Sequence, residues 1–194
     1  MTRTRPLLAA LLALPVLLAG CSGTSGADAD GAGAYDFARL PVGPDGLFPV
    51  GDRRAAPVIA GQTLQGEALD VAALRGQVVV LNFWADWCGP CRGEAPFLNA
   101  VATSTAERGV TFVGINVKDD RNAALAFERV RQVTYRSIYD QPGVLLTRFR
   151  KVVPQTPPST LLLDRQGRVA GIFNGTVVES ELAPPVLALA AEAA

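Results

Sequence analysis

The chain has 194 residues, with 18 basic and 18 acidic side chains and no histidine. The balanced charge and the presence of only two lysines argue against a phosphate-binding surface, so we expect no nucleic-acid partner. Without imidazole, the chemistry must use thiols, carboxylates or the backbone, and we expect no metal site. The length suits one globular domain with additional segments.

The N-terminal region has the features of a bacterial secretion signal. Two arginines precede an apolar run over residues 7–19, which is shorter than the ~20 residues that span a bilayer. The stretch LAGC at 18–21 resembles the lipobox of bacterial lipoproteins, in which the cysteine is acylated. We therefore predict a signal peptide over residues 1–20 and a lipid anchor on Cys21. The alternative is an ordinary signal peptide with a chance cysteine nearby.

The residues after the signal peptide predict a flexible tether. Serine, glycine, alanine and aspartate fill most of the chain as far as residue 34, and such a composition buries too little apolar area to fold. Prolines and glycines extend this irregular character, so the tether is assigned to residues 21–55. The folded domain is assigned to residues 56–194.

The folded domain alternates strand and helix patterns. Short β-branched runs at 77–84 and 110–117 are typical of strands covered on both faces. A helical pattern at 91–108 separates them, which predicts parallel strands joined by a right-handed crossover. The remaining predicted elements are a helix at 123–133, a strand at 135–139, helical turns at 144–150, hairpin strands at 159–163 and 168–173, and a helix at 178–191.

The sequence Cys88-Gly89-Pro90-Cys91 lies where the first of these strands meets the first helix. Two thiols separated by two residues can close a small disulfide ring and can alternate between dithiol and disulfide. Unpaired backbone N–H groups and the helix dipole favour an anion at Cys88, which lowers its pKa and makes it the attacking thiolate. Cys91, one turn into the helix, is the resolving thiol, and Pro90 fits the first turn.

Three other uses of these cysteines are less favoured. A zinc knuckle needs four ligands, and the chain offers two cysteines besides Cys21 and no histidine. A haem-attachment site needs histidine where Arg92 stands. A purely structural disulfide is the third alternative, although so short a loop gains little chain entropy.

At this point the sequence resembles a known family. The stretch VVVLNFWADWCGPC at 78–91 is similar to the active-site strand and loop of the thioredoxin superfamily. Pro96 matches the proline that kinks the active-site helix of that family, and Pro158 matches its cis-proline. The resemblance implies an α/β, thioredoxin-like fold in which a mixed central sheet is flanked by helices.

Within the superfamily, the chain resembles the membrane-anchored TlpA/ResA-like proteins. The signal peptide with its lipid cysteine, the N-terminal extension and an αβα insertion at roughly 120–150 are shared with that group. Asn82 stands where thioredoxins carry a buried acid. Glu94 matches a glutamate that is thought to tune the thiols in ResA-like proteins, so we predict this role for it. The alternative is an idle acid in the first turn of the helix.

The resemblance also implies a substrate surface around the cysteines. We assign to it Trp87, Gly89, Pro90, Pro157 and Pro158. Pro157 has no N–H, so only its carbonyl can take part in pairing with an extended substrate peptide. Trp84 is predicted to pack in the core, whereas residues 118–120 (Lys-Asp-Asp) are predicted to form a solvated loop.

These observations predict an extracytoplasmic thiol–disulfide oxidoreductase, lipid-anchored to the outer face of the bacterial cytoplasmic membrane, with no cofactor beyond the Cys88–Cys91 disulfide. By resemblance, its clients are exported disulfide proteins such as apocytochrome c, and its electron donor is a membrane thiol transporter of the CcdA kind. A general oxidant or isomerase of secreted proteins is the alternative within the same class. A copper chaperone on the same fold is the alternative from another class, although the expected Cys-x-x-x-Cys and histidine are missing.

Overall fold

The computed structural model describes Met1 and residues 42–149 and 156–193. The predicted signal peptide, the predicted lipid site Cys21 and most of the predicted tether lie outside the described residues. Among the described residues, no helix has both the length and the apolar character needed to cross a membrane.

The described part of the chain alternates strands with helices. Short 3-10 helices occupy Val50–Asp52, Val71–Leu74 and Ala106–Arg108. The strands are β1 (Arg54–Ala55), β2 (Ala60–Gln62), β3 (Ala68–Asp70), β4 (Val78–Trp84), β5 (Val110–Val117), β6 (Arg136–Asp140), β7 (Ser159–Leu163) and β8 (Arg168–Asn174). The α-helices are α1 (Gly89–Thr105), α2 (Arg121–Arg131), α3 (Val144–Arg148) and α4 (Glu179–Ala191).

Six of the strands form one mixed sheet in the order β1-β8-β7-β4-β5-β6. Strands β4, β5 and β6 are parallel, whereas β7 runs antiparallel to β4 and β8 runs antiparallel to β7. The β2–β3 hairpin lies against the outer edge of β6, where the Leu64 N–H donates to the Ser137 carbonyl at 2.9 Å. The predicted α/β fold with a mixed sheet flanked by helices is confirmed.

All seven residues of the central strand β4 are buried, so this strand is covered on both faces of the sheet. Val79, Leu81 and Phe83 pack on one face of the sheet, in a core that includes Phe149 of the segment after α3. The other face, carrying Val78, packs against apolar residues of α1 and α4. A nearly continuous apolar strand is what such two-sided burial requires.

The predicted elements agree with the observed ones within three residues at each described end. The predicted tether is wrong in its last part. Leu47 and Phe48 are buried, and the Phe48 N–H donates to the Ala170 carbonyl at 2.7 Å. Arg54 then pairs with Val169 in the sheet. The short strand β1 thus pairs with the outer edge of β8. The buried side chains of Leu47 and Phe48, which lie between prolines and glycines in the sequence, hold this segment against the domain.

Candidate active site

The two cysteines form a disulfide at the carboxyl end of β4. The S–S distance is 2.03 Å and the Cα atoms are 5.3 Å apart. Cys88 is the N-cap residue of α1, and the Cys91 N–H donates to the Cys88 Sγ at 3.2 Å. Both side chains are nearly buried, so position rather than exposure distinguishes them. The sulfur of Cys88 occupies the place where a helix N-terminus stabilises negative charge.

The predicted substrate residues are divided between surface and interior. Trp87 is 52% exposed, and its indole N–H donates to the Lys118 carbonyl at 3.0 Å. Gly89 and Pro90 are exposed at the start of α1. Pro157 is half-buried and Pro158 is buried, and the peptide bond between them is cis, as the match to the family's cis-proline predicts.

The two prolines lie at the same end of the sheet as the disulfide. Ser159, which follows Pro158, pairs with Phe83 near the end of β4. The disulfide loop begins directly after that strand. The fold therefore brings Trp87 and the prolines to one end of the sheet.

Glu94 is completely buried on α1. Its Oε1 accepts from the Asn82 amide at 2.9 Å, and its Oε2 accepts from the Val177 N–H at 3.2 Å. The Asn82 amide also donates to Thr160 Oγ1 at 3.2 Å. Burial raises the pKa of Glu94 to about 7, and the two hydrogen bonds only partly oppose this effect.

Glu94 does not lie in the first helical turn, where the alternative of an idle acid places it. It is the sixth residue of α1, beyond the unpaired N–H groups of the first turn, and it has no contact with solvent. Cys91 and Glu94 are three residues apart and share one face of the helix, and both are buried. Asn82 stands where thioredoxins carry a buried acid, and here its amide donates a hydrogen bond to Glu94.

The prediction of a solvated loop at residues 118–120 is wrong for its central residue. Asp119 is 7% exposed, and its Oδ2 accepts from the Asp86 N–H at 2.6 Å and from the Asn116 amide at 2.8 Å. The available signal was topological, because the carboxyl ends of the parallel strands β4 and β5 meet at one edge of the sheet. A polar residue just after β5 was therefore placed to reach the cysteine loop.

Trp84 packs in the core, as predicted. It is 3% exposed, stacks on Phe127 with ring centroids 4.5 Å apart, and belongs to the apolar cluster that contains both cysteines. Its indole N–H crosses β5 at Gly114 and donates to Ser137 Oγ at 3.1 Å. A Cβ on Gly114 would lie 2.8 Å from the indole nitrogen, so glycine is required for this close approach.

A second buried acid escaped the sequence analysis. Glu128 on α2 is 9% exposed, accepts from the Gln65 amide at 2.9 Å, and has its pKa raised by burial. Its helical position gave no signal, because charged residues on a short amphipathic helix are usually solvated. Among the described residues, no group of three or more cysteine, aspartate or glutamate side chains is arranged to hold a metal ion.

The redoxin family matches residues 49–185, which is more than half of the chain and includes the disulfide and the cis-proline. The chain belongs to the redoxin family. The thiol-disulfide oxidoreductase ResA of Bacillus subtilis is 30% identical over 125 residues, covering 64% of this chain and 68% of that protein. The thiol:disulfide interchange protein DsbE of Yersinia pestis is 36% identical over 125 residues, covering 61% and 63%.

A solved structure agrees with this assignment. A secreted thiol-disulfide isomerase from Corynebacterium glutamicum superposes with a TM-score of 0.71 at 32% identity, covering 79% of this chain and 98% of that one. The fold, the Cys-x-x-Cys pair and these relatives make the chain a thiol–disulfide oxidoreductase of the thioredoxin superfamily.

Proposed function

We propose that this redoxin reduces disulfides of exported proteins, with Cys88 as nucleophile and Cys91 as resolving thiol. The observation that carries the proposal is the Cys88–Cys91 disulfide at the start of α1, where the Cys91 N–H is directed at the Cys88 sulfur. A thiolate released at this N-cap position keeps the same hydrogen-bond donor and the positive end of the helix dipole.

The reaction consists of two exchanges. The Cys88 thiolate attacks one sulfur of the client disulfide, so that a Cys88–client bond forms and the client's other sulfur leaves as a thiolate, which takes up a proton. Cys91 then loses its proton and attacks the Cys88 sulfur, closing the Cys88–Cys91 disulfide and releasing the second client thiolate. The client gains two electrons, and the protein ends in the disulfide state. The proposed chemistry uses the two thiols and no cofactor.

Glu94 is proposed to take the proton from Cys91 in the second exchange. Its pKa of about 7 leaves it partly ionised near neutral pH, which suits a group that must accept and return a proton. The shared helix face of the two residues supports this assignment. Asn82 of β4 and the Val177 N–H of the segment between β8 and α4 donate to the carboxylate, and so fix its direction.

The role of Glu94 is tested by Glu94→Gln. We expect the apparent pKa of Cys91 in the reduced protein to fall, because no neighbouring carboxylate then opposes the thiolate. We also expect the resolution of a trapped Cys88 mixed disulfide to slow by about 10²-fold at pH 7, the usual contribution of a general base. Glu107→Gln, in the exposed part of the 3-10 helix that follows α1, removes the same charge and should leave both unchanged. Identical behaviour of the two variants would return Glu94 to a purely structural role.

The proposed location is the outer face of the cytoplasmic membrane, with Cys21 acylated. The relative from Corynebacterium is described as secreted, which supports export. Apocytochrome c is the proposed client, and a membrane thiol transporter of the CcdA kind is the proposed donor. Mass spectrometry of the N-terminal peptide tests the anchor, since a diacylated Cys21 is expected and an unmodified peptide that continues through residue 21 contradicts it.

A second candidate is an isomerase or oxidant of secreted proteins, which the description of the Corynebacterium relative favours. The reduction potential of the Cys88–Cys91 pair distinguishes the two. Equilibration in defined thiol buffers, followed by trapping of free thiols, should give a value near about −270 mV if the protein is a reductant. A value near about −120 mV would identify an oxidant and overturn the proposal.

A further inference from the structure

The loop that carries the nucleophile is held from outside its own strand and helix. Residues 85–88 form a turn in which the Cys88 N–H donates to the Ala85 carbonyl at 3.2 Å. The next two contacts come from the segment after β5. The Asp119 carboxylate accepts the Asp86 N–H, and the Lys118 carbonyl accepts the Trp87 indole N–H.

Every hydrogen bond to the Asp119 carboxylate in the described structure comes from a neutral donor. Oδ2 accepts from the Asp86 N–H and the Asn116 amide, and Oδ1 accepts from the Asp120 N–H at 2.9 Å. Hydrogen bonds to an ionised oxygen are about twice as strong as neutral ones. A nearly buried carboxylate with three such donors fixes its neighbours more firmly than a solvated loop residue does.

We infer that Asp119 is a positioning residue for the redox reaction: it fixes the 85–88 turn, and with it Trp87 and the Cys88 sulfur, through the Asp86 N–H. This inference rests on the thiol–disulfide exchange described above. It assigns Asp119 no contact with the reacting sulfur atoms. The residue acts through the backbone of the loop that presents them.

The αβα insertion supplies the other side of this support. The Tyr139 hydroxyl donates to the Asp119 carbonyl at 3.0 Å, and the Lys118 N–H donates to the Asp140 carbonyl at 3.2 Å. The Arg121 guanidinium lies 4.4 Å above the Tyr139 ring. The insertion therefore supports the segment that holds the active-site loop. Because the Trp87 indole donates to that segment, its position on the client surface depends on the same contacts.

The effect on the reaction follows from the geometry of exchange. Sulfur attack requires the three sulfur atoms to align, and the Cys88 sulfur must keep its N-cap position while the S–S bond opens and closes. Without Asp119, the Asp86 N–H has to find another acceptor, which lets the 85–88 turn shift. The nucleophile then samples more positions, and fewer of them are reactive.

Asp119→Ala is tested against Asp120→Ala, which removes the neighbouring aspartate. Asp120 caps α2 by accepting from the Asn122 and Ala123 N–H groups, so its loss loosens a helix end while leaving the turn intact. Amide exchange followed by NMR on the purified disulfide form is the direct readout. We expect the Asp86 amide and the Trp87 indole proton to exchange faster in Asp119→Ala and to be unchanged in Asp120→Ala.

Exchange of the reduced protein with a small aromatic disulfide is the functional readout. Misplacement of the sulfur should reduce the second-order rate constant by about tenfold in Asp119→Ala, compared with no change in Asp120→Ala. Asp119→Asn keeps one oxygen acceptor for the Asp86 N–H and should recover most of the rate. If Asp119→Ala unfolds, the Asp86 amide of Asp119→Asn should still exchange faster than that of the wild type, because a neutral amide oxygen is a weaker acceptor than a carboxylate oxygen.

The outcomes separate this inference from the proposed function. Equal rates and equal proton exchange in the two alanine variants would overturn the positioning role while leaving the redox activity intact. A wild-type protein that fails to exchange with any disulfide would instead overturn the activity itself. The proton-exchange result would then still decide whether Asp119 fixes the turn.

Discussion

Two buried ionisable side chains at opposite ends of the sheet have different kinds of partner: one is paired with opposite charge and the other accepts hydrogen bonds from neutral groups. At the hairpin end, near the 164–167 turn, Arg53 is 4% exposed and donates to both oxygens of Glu192 at 2.6 Å, with Asp164 3.6 Å away. At the active-site end, Glu94 is completely buried, and the hydrogen bonds to its carboxylate from the described part of the chain come from an amide and a backbone N–H.

The difference separates holding the fold from moving a proton. The Glu192 hydrogen bond raises the pKa of Arg53, so this side chain stays charged near neutral pH. Among the described residues Glu94 has no cationic partner, and burial raises its pKa to about 7, within the range in which a proton can be exchanged. The ion pair between Arg53 and Glu192 links the residue before β1 to the end of α4. Glu94, with its raised pKa, instead lies on the helix that carries Cys91.

The largest effect is expected from Arg53→Met, which keeps an unbranched apolar side chain and removes the guanidinium charge. Breaking a buried ion pair leaves Asp164 with less compensation, so unfolding free energy should fall by about 4 kcal/mol. Denaturant titration of the disulfide form measures it. The reduction potential should not change, because the substitution lies at the far end of the sheet.

Arg54→Met is the matched control, since Arg54 is the next residue and donates to backbone carbonyls near the surface. We expect it to lower stability by less than about 1 kcal/mol. A comparable loss in the two variants would show that the ion pairs at the hairpin end contribute nothing specific.

Glu94→Gln should change the pH dependence of the free energy of unfolding by about 3 kcal/mol. The folded-state pKa of Glu94 lies above its ordinary value of 4.5, so folding takes up a proton. Its contribution is therefore fully present below pH 4.5 and is lost as the pH rises through 7. The wild type should lose about 3 kcal/mol over this range relative to the variant, in which nothing titrates at residue 94.

The measurement is denaturant unfolding of both disulfide forms from pH 4 to pH 8. Glu128 also has a raised pKa, but it is present in both proteins and cancels in the difference. Rotation of the Asn82 amide can supply an acceptor for the amide N–H₂ of the introduced glutamine, which keeps the variant folded. Parallel curves for the two proteins would show that Glu94 has an ordinary pKa.

Local patterns were enough to predict most of the fold. The strands β4 and β5 are apolar and β-branched, and the cysteine motif marks the start of α1. The short strand β1 and the β2–β3 hairpin were missed, because two or three residues with an exposed pattern carry no periodicity. Leu47 and Phe48 were missed because prolines and glycines around them dominated the composition.

The part of the candidate site that could be predicted from the sequence is the part whose residues lie in local motifs. Cys88, Cys91, Trp87 and the proline pair all lie in recognisable local sequence. Asp119 and the donors to Glu94 come from elements distant in the chain, so only the sheet order brings them to the site. A charged triplet after a strand looks the same in sequence whether its central residue is solvated or buried.

Gly114→Ala tests whether the active-site end depends on close packing as well as on charge. The added Cβ would meet Ser137 Oγ most closely and would lie 2.8 Å from the Trp84 indole nitrogen, so the hydrogen-bonded side chains of Trp84 and Ser137 must shift. We expect a loss of about 2 kcal/mol and a changed near-ultraviolet circular dichroism signal.

Gly93→Ala provides the opposite control within α1. This glycine is exposed and a Cβ there meets nothing within 4 Å, so alanine should stabilise the helix by about 0.5–1 kcal/mol. Stability losses of similar size in both variants would contradict the requirement for glycine beside Trp84.

Apart from the control variants, the smallest effect is expected from Glu192→Gln, which distinguishes the outer partner of Arg53 from the inner one. The Glu192 side chain is 34% exposed, whereas that of Asp164 is 3% exposed, so solvent and salt screen the outer pair more strongly. Glutamine keeps one acceptor for the Arg53 guanidinium, and the loss should be about 1 kcal/mol, decreasing at high salt. Unfolding measured at low and high ionic strength checks this. A loss as large as that of Arg53→Met would mean that Glu192, rather than the buried Asp164, holds Arg53 in place.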